Sequence, residues 1–145
     1  MIEHDGYLRL IEAWLPYARK YLYRPPERPD LLCYGPGSDN WGVQTNQKAL
    51  AAFAVCGALD EAAGMLRFCL ETHIEGSFEC TDGRKWGHQW ISALGTERMT
   101  HVLGVLQDRL SGPDRELLRR VLFSEADWLR SEERRVGKEC RSRWS

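Results

Sequence analysis

The sequence has no apolar run approaching the roughly 20 residues that a membrane-spanning helix needs. Its first residues, MIEHDGYLRL, also lack the basic-then-apolar order of a secretory signal. A strong charge of either sign is missing. Twenty Lys and Arg stand against 21 Asp and Glu, for a net charge of −1. No global field therefore steers the chain to nucleic acid or to a membrane surface. The five cysteines, Cys33, Cys56, Cys69, Cys80 and Cys140, are odd in number and never spaced C-x-x-C. That excludes a complete internal disulfide framework and points to reduced thiols in a cytoplasmic setting. Proline is scarce, and three of its six occurrences fall in one stretch, RPPERPD. What remains is a chain of 145 residues, enough for one modest domain.

Apolar spacing predicts five helices. Tyr7, Leu8, Leu10, Ile11, Trp14, Leu15, Ala18, Tyr21 and Leu22 follow helical periodicity over about 5–23, with a bend at Pro16. RPPERPD then opens a long loop that runs through YGPGSDN. A helix over about 43–57 is apolar without a break from Ala49 to Cys56 and should be buried. After the short link GALD comes an amphipathic helix over about 60–75. A second long loop, EGSFECTDGRK, leads to a largely apolar helix over about 87–110. After SGP, with Pro113 suited to a first helical turn, an amphipathic helix runs over about 113–130. In that last helix Leu117, Leu118, Val121, Leu122 and Trp128 oppose Arg115, Arg119, Arg120 and Glu125.

This alternation predicts an all-α chain of antiparallel hairpins in two layers with no sheet. The second and fourth helices form the inner layer, and the long loops share one end. Long loops confined to one end usually build a site. Residues 131–145, SEERRVGKECRSRWS, break the pattern: apolar periodicity stops and five Lys and Arg crowd together. The stretch resembles a run-on tail found at the ends of conceptual translations, and it is read as a non-native or disordered basic tail beside a domain of residues 1–130. A solvated basic terminus or nucleic-acid arm is the alternative.

NWGVQTNQKAL and KWGHQWISAL both read W-G-x-Q and then an apolar helix. Trp41, Gly42 and Gln44 match Trp86, Gly87 and Gln89 at a period within the range of helical-hairpin arrays. Each element lies where a helix begins, with unpaired N–H groups and a positive dipole end. Tryptophan offers a flat apolar face with one donor, and Gln and Asn offer donors and acceptors. That combination suits a sugar ring, and the helix ends favour a carboxylate or sulfate. Alternatively, the tryptophans only pack the loops and the amides only cap the helices.

SDNWGVQTNQKALAAFAV and KWGHQWISALGTERM resemble the (α/α) toroids of heparinase II/III-type and alginate-lyase-type polysaccharide lyases over about residues 5–130. The Asn-Asn-His that opens an inner helix in alginate-lyase-type toroids has its counterpart at WGHQW, which keeps His88 and lacks the paired Asn. WGHQW also resembles the W-x-x-x-x-W helix start of unsaturated-glucuronyl hydrolases, at shorter spacing. The resemblance implies part of a toroid that cleaves acidic polysaccharide by β-elimination, without a cofactor. His88 would be the base. Gln44, Asn46 and Gln89 would hold carboxylate and hydroxyls, while Trp41, Trp86 and Trp90 would stack sugars. The partner implied is an acidic oligosaccharide or polysaccharide, not nucleic acid or membrane. Toroid hydrolysis of unsaturated oligosaccharides is the alternative enzyme, and a non-catalytic helical-repeat binding module is the alternative outside catalysis. An open array should also expose apolar side chains on the fourth helix.

Other constellations carry less. His73, Cys80 and His88 flank the second long loop, but their spacing fits no compact zinc site. YGPGSDNWG places Asn40 where a phosphate loop needs its third glycine. Glu97, Arg98 and His101 read as structural, and Asp39, Asp82 and Tyr34 lie in the rim loops without a motif.

Overall fold

The computed structural model describes residues 4–144, with side chains described over 5–137. The structure is mostly helical. Helix α1, His4–Ala18, contains Pro16 and tightens into a 3-10 turn, Arg19–Tyr21. Two short strands, β1 (Leu22–Tyr23) and β2 (Cys33–Tyr34), pair antiparallel with Leu22 opposite Tyr34. This small ribbon corrects the expectation of no sheet. Between its strands the proline-rich loop is pinned by Arg28, which pairs with Asp30 at 2.9 Å and Glu71 at 2.8 Å. Helix α2 is Trp41–Val55 and α3 is Leu59–Glu71.

The fourth predicted helix is broken. Gly87 at φ 131° and His88 at φ 57° lie outside helical space, so α4 begins only at Trp90 and runs to Thr100. Gln89 caps it reciprocally with Ser92. The chain turns at His101–Val102 and continues as α5, Leu103–Leu106, and a 3-10 turn, Gln107–Arg109. Glycine and threonine, which are weak helix formers, are frequent here: Gly95, Thr96, Thr100 and Gly104. Helix α6, Gly112–Trp144, opens with a capping box. Asp114 N–H donates to Ser111 Oγ at 3.2 Å, and Ser111 N–H donates to Asp114 Oδ2 at 3.0 Å. No break marks residue 130, because α6 continues through the basic stretch read as a separate tail. Ser145 and the Cys140 side chain lie outside the described residues.

Packing redistributes the expected layers. Helix α2 is central, packed against both α3 and α4. Helix α3, read as an outer helix, buries Ala62, Ala63, Gly64, Met65, Leu66, Phe68, Cys69 and Leu70. Helix α4, read as inner, buries only Ile91, Ser92, Gly95 and Met99 and leaves Trp90 and Leu94 exposed. The reason is geometric. Helix α3 is covered by α2 on one side and by α5 and α6 on another, whereas α4 leans mainly on α2 and α6. Close approach of α2 and α4 passes through Gly95, where a Cβ would overlap Gln47. Apolar surface is left open between α1 and α2 as well as on α4. A groove of about 540 Å³ between α1 and α2 is lined by Leu10, Ile11, Trp14, Ala49 and Ala52.

Both long loops do lie at one end and touch there. Thr81 N–H donates to Gly37 O at 3.1 Å, and Asp39 N–H donates to the Asp82 carboxylate at 3.3 Å. The second loop is closed at its base by a parallel bridge. Ile74 N–H donates to Trp86 O at 3.0 Å, and Trp86 N–H donates to Thr72 O at 3.1 Å. Among the described residues no helix is long and apolar enough to cross a membrane.

Candidate functional site

Trp41 and Trp90 are the first residues of α2 and α4. They are 62% and 64% exposed, and their rings meet edge to face with centroids 6.1 Å apart. Two indoles of that exposure form an apolar plate at the helix starts, with the exposed amide of Gln89 beside it.

The other expected rim residues lie elsewhere. Trp86 is 2% exposed and donates its Nε1–H to Cys69 O at 2.7 Å, so it is a core residue with no face open to a sugar. Gln44 and Asn46 are buried as well. Asn46 Oδ1 accepts Tyr34 N–H at 2.7 Å, and its Nδ2 donates to Tyr34 O at 2.9 Å and Gly42 O at 3.0 Å. Its amide is spent tying β2 to α2. Tyr34 packs edge to face on Trp14 at 5.9 Å. These side chains correct the picture of a continuous polar mouth: Gln44 is buried, and the Asn46 amide satisfies the chain itself.

His88 stands at the centre of a second cluster. Its backbone is in the left-handed region, where a non-glycine residue costs about 1–2 kcal/mol. Three contacts from α6 hold it there. His88 N–H donates to Glu125 Oε1 at 3.0 Å. His88 Nε2 lies 2.8 Å from Ser124 Oγ. The imidazole stacks parallel on Trp128 with centroids 5.9 Å apart. Gly87 is needed for this approach. At φ 131° a Cβ would lie 2.7 Å from His73 Nε2 and 3.0 Å from Glu125 Oε1.

Glu125, read from the sequence as solvent-facing, is 2% exposed. Its Oε1 also contacts His73 Nε2 at 2.7 Å. His73 Nδ1 accepts Glu75 N–H at 3.0 Å, so the tautomer consistent with the contacts carries its proton on Nε2 and donates it to Glu125. Glu125 Oε2 is buried without a hydrogen-bond partner. A buried polar atom without a partner is costly in a core.

His88, Ser124 and Trp128 face a cavity of about 580 Å³, also lined by Glu75, Arg119, Arg120 and Asp127. Arg120, Ser124 and Trp128 follow one another at four-residue spacing along one face of α6. Arg119 is engaged with Glu116 at 3.0 Å and Asp127 with Arg130 at 3.1 Å, whereas Arg120 makes no ion pair within 4 Å among the described residues. The thiols nearby are poor nucleophiles. Burial pushes Cys80 up to about 12 and Cys69 well above the usual thiol range. Among the described residues, no three His, Cys, Asp or Glu side chains converge as a metal would need.

Sequence reasoning passed over Ser124, Glu125 and His73 as partners of His88. A signal was present. Leu117, Val121 and Glu125 share one α6 face at four-residue spacing, so a carboxylate interrupts an apolar stripe. No family model matches the chain, and no curated protein or solved structure matches it either.

Proposed function

We propose that the chain is part of a carbohydrate-active (α/α) toroid that acts on acidic, uronate-containing saccharide by β-elimination. The observation that carries this reading is the exposed Trp41–Trp90 plate, two residues along the chain from a strained His88 that opens into a polar cavity. In it, Trp41 and Trp90 take the C–H faces of sugar rings, and Gln89 takes hydroxyls. His88 removes the proton α to the uronate carboxyl, and Arg120 offsets the charge that develops on the enolate. Trp86, Gln44 and Asn46 support the rim from inside. The setting proposed is cytoplasmic, with oligosaccharides as substrate. Glu75 and Asp127 on the same cavity favour a second reading, acid-assisted glycoside hydrolysis, which requires two carboxylates.

The test is titration of the chain with uronate oligosaccharides and with neutral ones, followed by tryptophan fluorescence. Acidic sugars should bind more tightly. Trp41→Ala and Trp90→Ala should each weaken binding about fivefold, the equivalent of about 1 kcal/mol of stacking. Absorbance from a new C=C bond conjugated to the carboxylate marks elimination, and reducing ends without that absorbance mark hydrolysis. Equal, unchanged fluorescence with both sugar classes would turn the assignment to a non-catalytic binding module.

A further inference from the structure

We infer that Ser124 and His88 form a nucleophile–base pair for acyl transfer, with carboxylic esters as the substrate class. This inference shares His88, Arg120 and the α6 cavity with the saccharide reading but does not require it, since it adds Ser124 and needs neither the Trp41–Trp90 plate nor a uronate.

The first support is the direction of the hydroxyl. A Ser or Thr inside a helix commonly bonds back to the carbonyl four residues earlier. Thr45 does so to Trp41 O at 2.8 Å, Thr72 to Phe68 O at 2.7 Å and Ser131 to Asp127 O at 3.0 Å. Ser124 instead meets His88 Nε2 at 2.8 Å, the contact through which an imidazole activates a serine. The second support is the effort spent on placing that imidazole. Its backbone has positive φ, its N–H is fixed by a buried carboxylate and its ring rests on Trp128. In a triad the acidic member grips the imidazole itself. Here Glu125 grips the main chain of the same residue, a positioning role exerted through the backbone. The third support is the surroundings. The pair opens onto a cavity of about 580 Å³, and Arg120 lies one helical turn before Ser124 on its wall.

The step balances without any added redox partner. Ser124 Oγ bonds to the acyl carbon while its proton passes to His88 Nε2, and the carbonyl electron pair moves to oxygen, opposite the Arg120 guanidinium. Collapse breaks the bond to the alcohol oxygen, which leaves with the proton from His88. Water, losing a proton to His88, then attacks acyl-Ser124. The acid departs, and the serine recovers its hydrogen from the imidazolium.

The experiment treats the whole chain with a fluorophosphonate probe, which traps an activated serine, and maps the adduct by peptide mass spectrometry. The expected result is one adduct, on Ser124, absent from Ser124→Ala. It should be slowed about a hundredfold in His88→Gln, the scale of general-base assistance. Circular dichroism of His88→Gln checks that the variant is folded, and Ser124→Ala on its own locates the adduct if that variant is not. Hydrolysis of p-nitrophenyl acetate should be lost in step with labelling. No adduct, an adduct on another residue, equal labelling of urea-unfolded chain, or an unslowed adduct in folded His88→Gln would each overturn the assignment.

Discussion

The two W-G-x-Q elements share three residues and do opposite things. In the first, the tryptophan starts the helix: Trp41 opens α2 and lies in solvent, while Gln44, one turn on, is buried. In the second, the tryptophan precedes the helix. Trp86 is buried in a bridge to the end of α3, Gly87 and His88 turn the chain, and Gln89 caps α4 from outside. The residues that correspond in space are therefore not those that correspond in letters. Asn40–Trp41 matches Gln89–Trp90: a residue at the N-cap position, then an exposed tryptophan as first helical residue, with a positive-φ residue at Asn40 in one case and one position earlier, at His88, in the other. The difference teaches that four letters at a helix start do not carry their register. Register is set by where the preceding loop is anchored, and the second loop is anchored four residues earlier through Trp86.

The largest expected effect follows from that anchoring. Trp86→Ala empties a core site and removes the hydrogen bond to Cys69 O. It should cost about 3–5 kcal/mol, whereas the matching Trp41→Ala should cost no more than about 1 kcal/mol, the scale of its ring contact with Trp90. Urea unfolding of the two variants measures both, and similar losses would break the contrast.

Gly87→Ala comes next. Its Cβ would press on His73 and Glu125 in a backbone conformation side chains avoid. A cost of about 1–3 kcal/mol is expected, together with loss of the His88–Glu125 contact. Chemical shifts of the His88 amide in the variant read the second effect directly, and an unmoved amide would show that Gly87 is not what admits the carboxylate.

Helix content and the sharing of one end by both long loops were legible because they rest on strong signals: apolar periodicity, proline clusters and loop length. The break in the fourth helix was less so. It falls at His101–Val102, beside the weak helix formers Thr100 and Gly104 and without a proline, and the helix start is held back to Trp90 because His88 is fixed by contacts with α6 more than thirty residues away. The layers were misread because apolar content was taken as depth. Helix α3 is enclosed by its neighbours on several sides, a consequence of topology that composition does not encode. At the candidate site, His88, Trp41, Trp90 and Gln89 were proposed from one local pattern. Ser124 and Glu125 come from a distant helix, and only Glu125 left a trace, as a charge on an apolar stripe.

A third variant sharpens the first element by itself. Asn46 lies two residues beyond Gln44 and has three hydrogen bonds that serve β2 and the start of α2. Asn46→Ala leaves Tyr34 N–H without its acceptor in a part-buried position, which should cost about 1–3 kcal/mol. If Asn46 were held for a ligand, its removal would change saccharide binding and leave urea stability alone. The expected outcome is the reverse, a lower urea midpoint with the binding constant of the remaining folded protein unchanged.

The smallest effect decides the register. If Trp41 and Trp90 are the true counterparts, their rings interact, and a double-mutant cycle on Trp41→Ala and Trp90→Ala should give a coupling of about 0.5–1 kcal/mol, the scale of an edge-to-face aromatic pair. The same cycle on Trp41 and Trp86 should give a coupling indistinguishable from zero, because Trp86 spends its ring on His73, at 4.7 Å between centroids. Exposure makes the first pair a clean case. Neither truncation opens a core cavity, so the single-variant costs are small and the difference is not buried under relaxation. Urea midpoints at constant slope supply all the numbers for both cycles. A coupling between Trp41 and Trp86 that exceeds the one between Trp41 and Trp90 would restore the letter-by-letter repeat and move the plate inward. The expected order would fix Trp41 and Trp90 as counterparts in space.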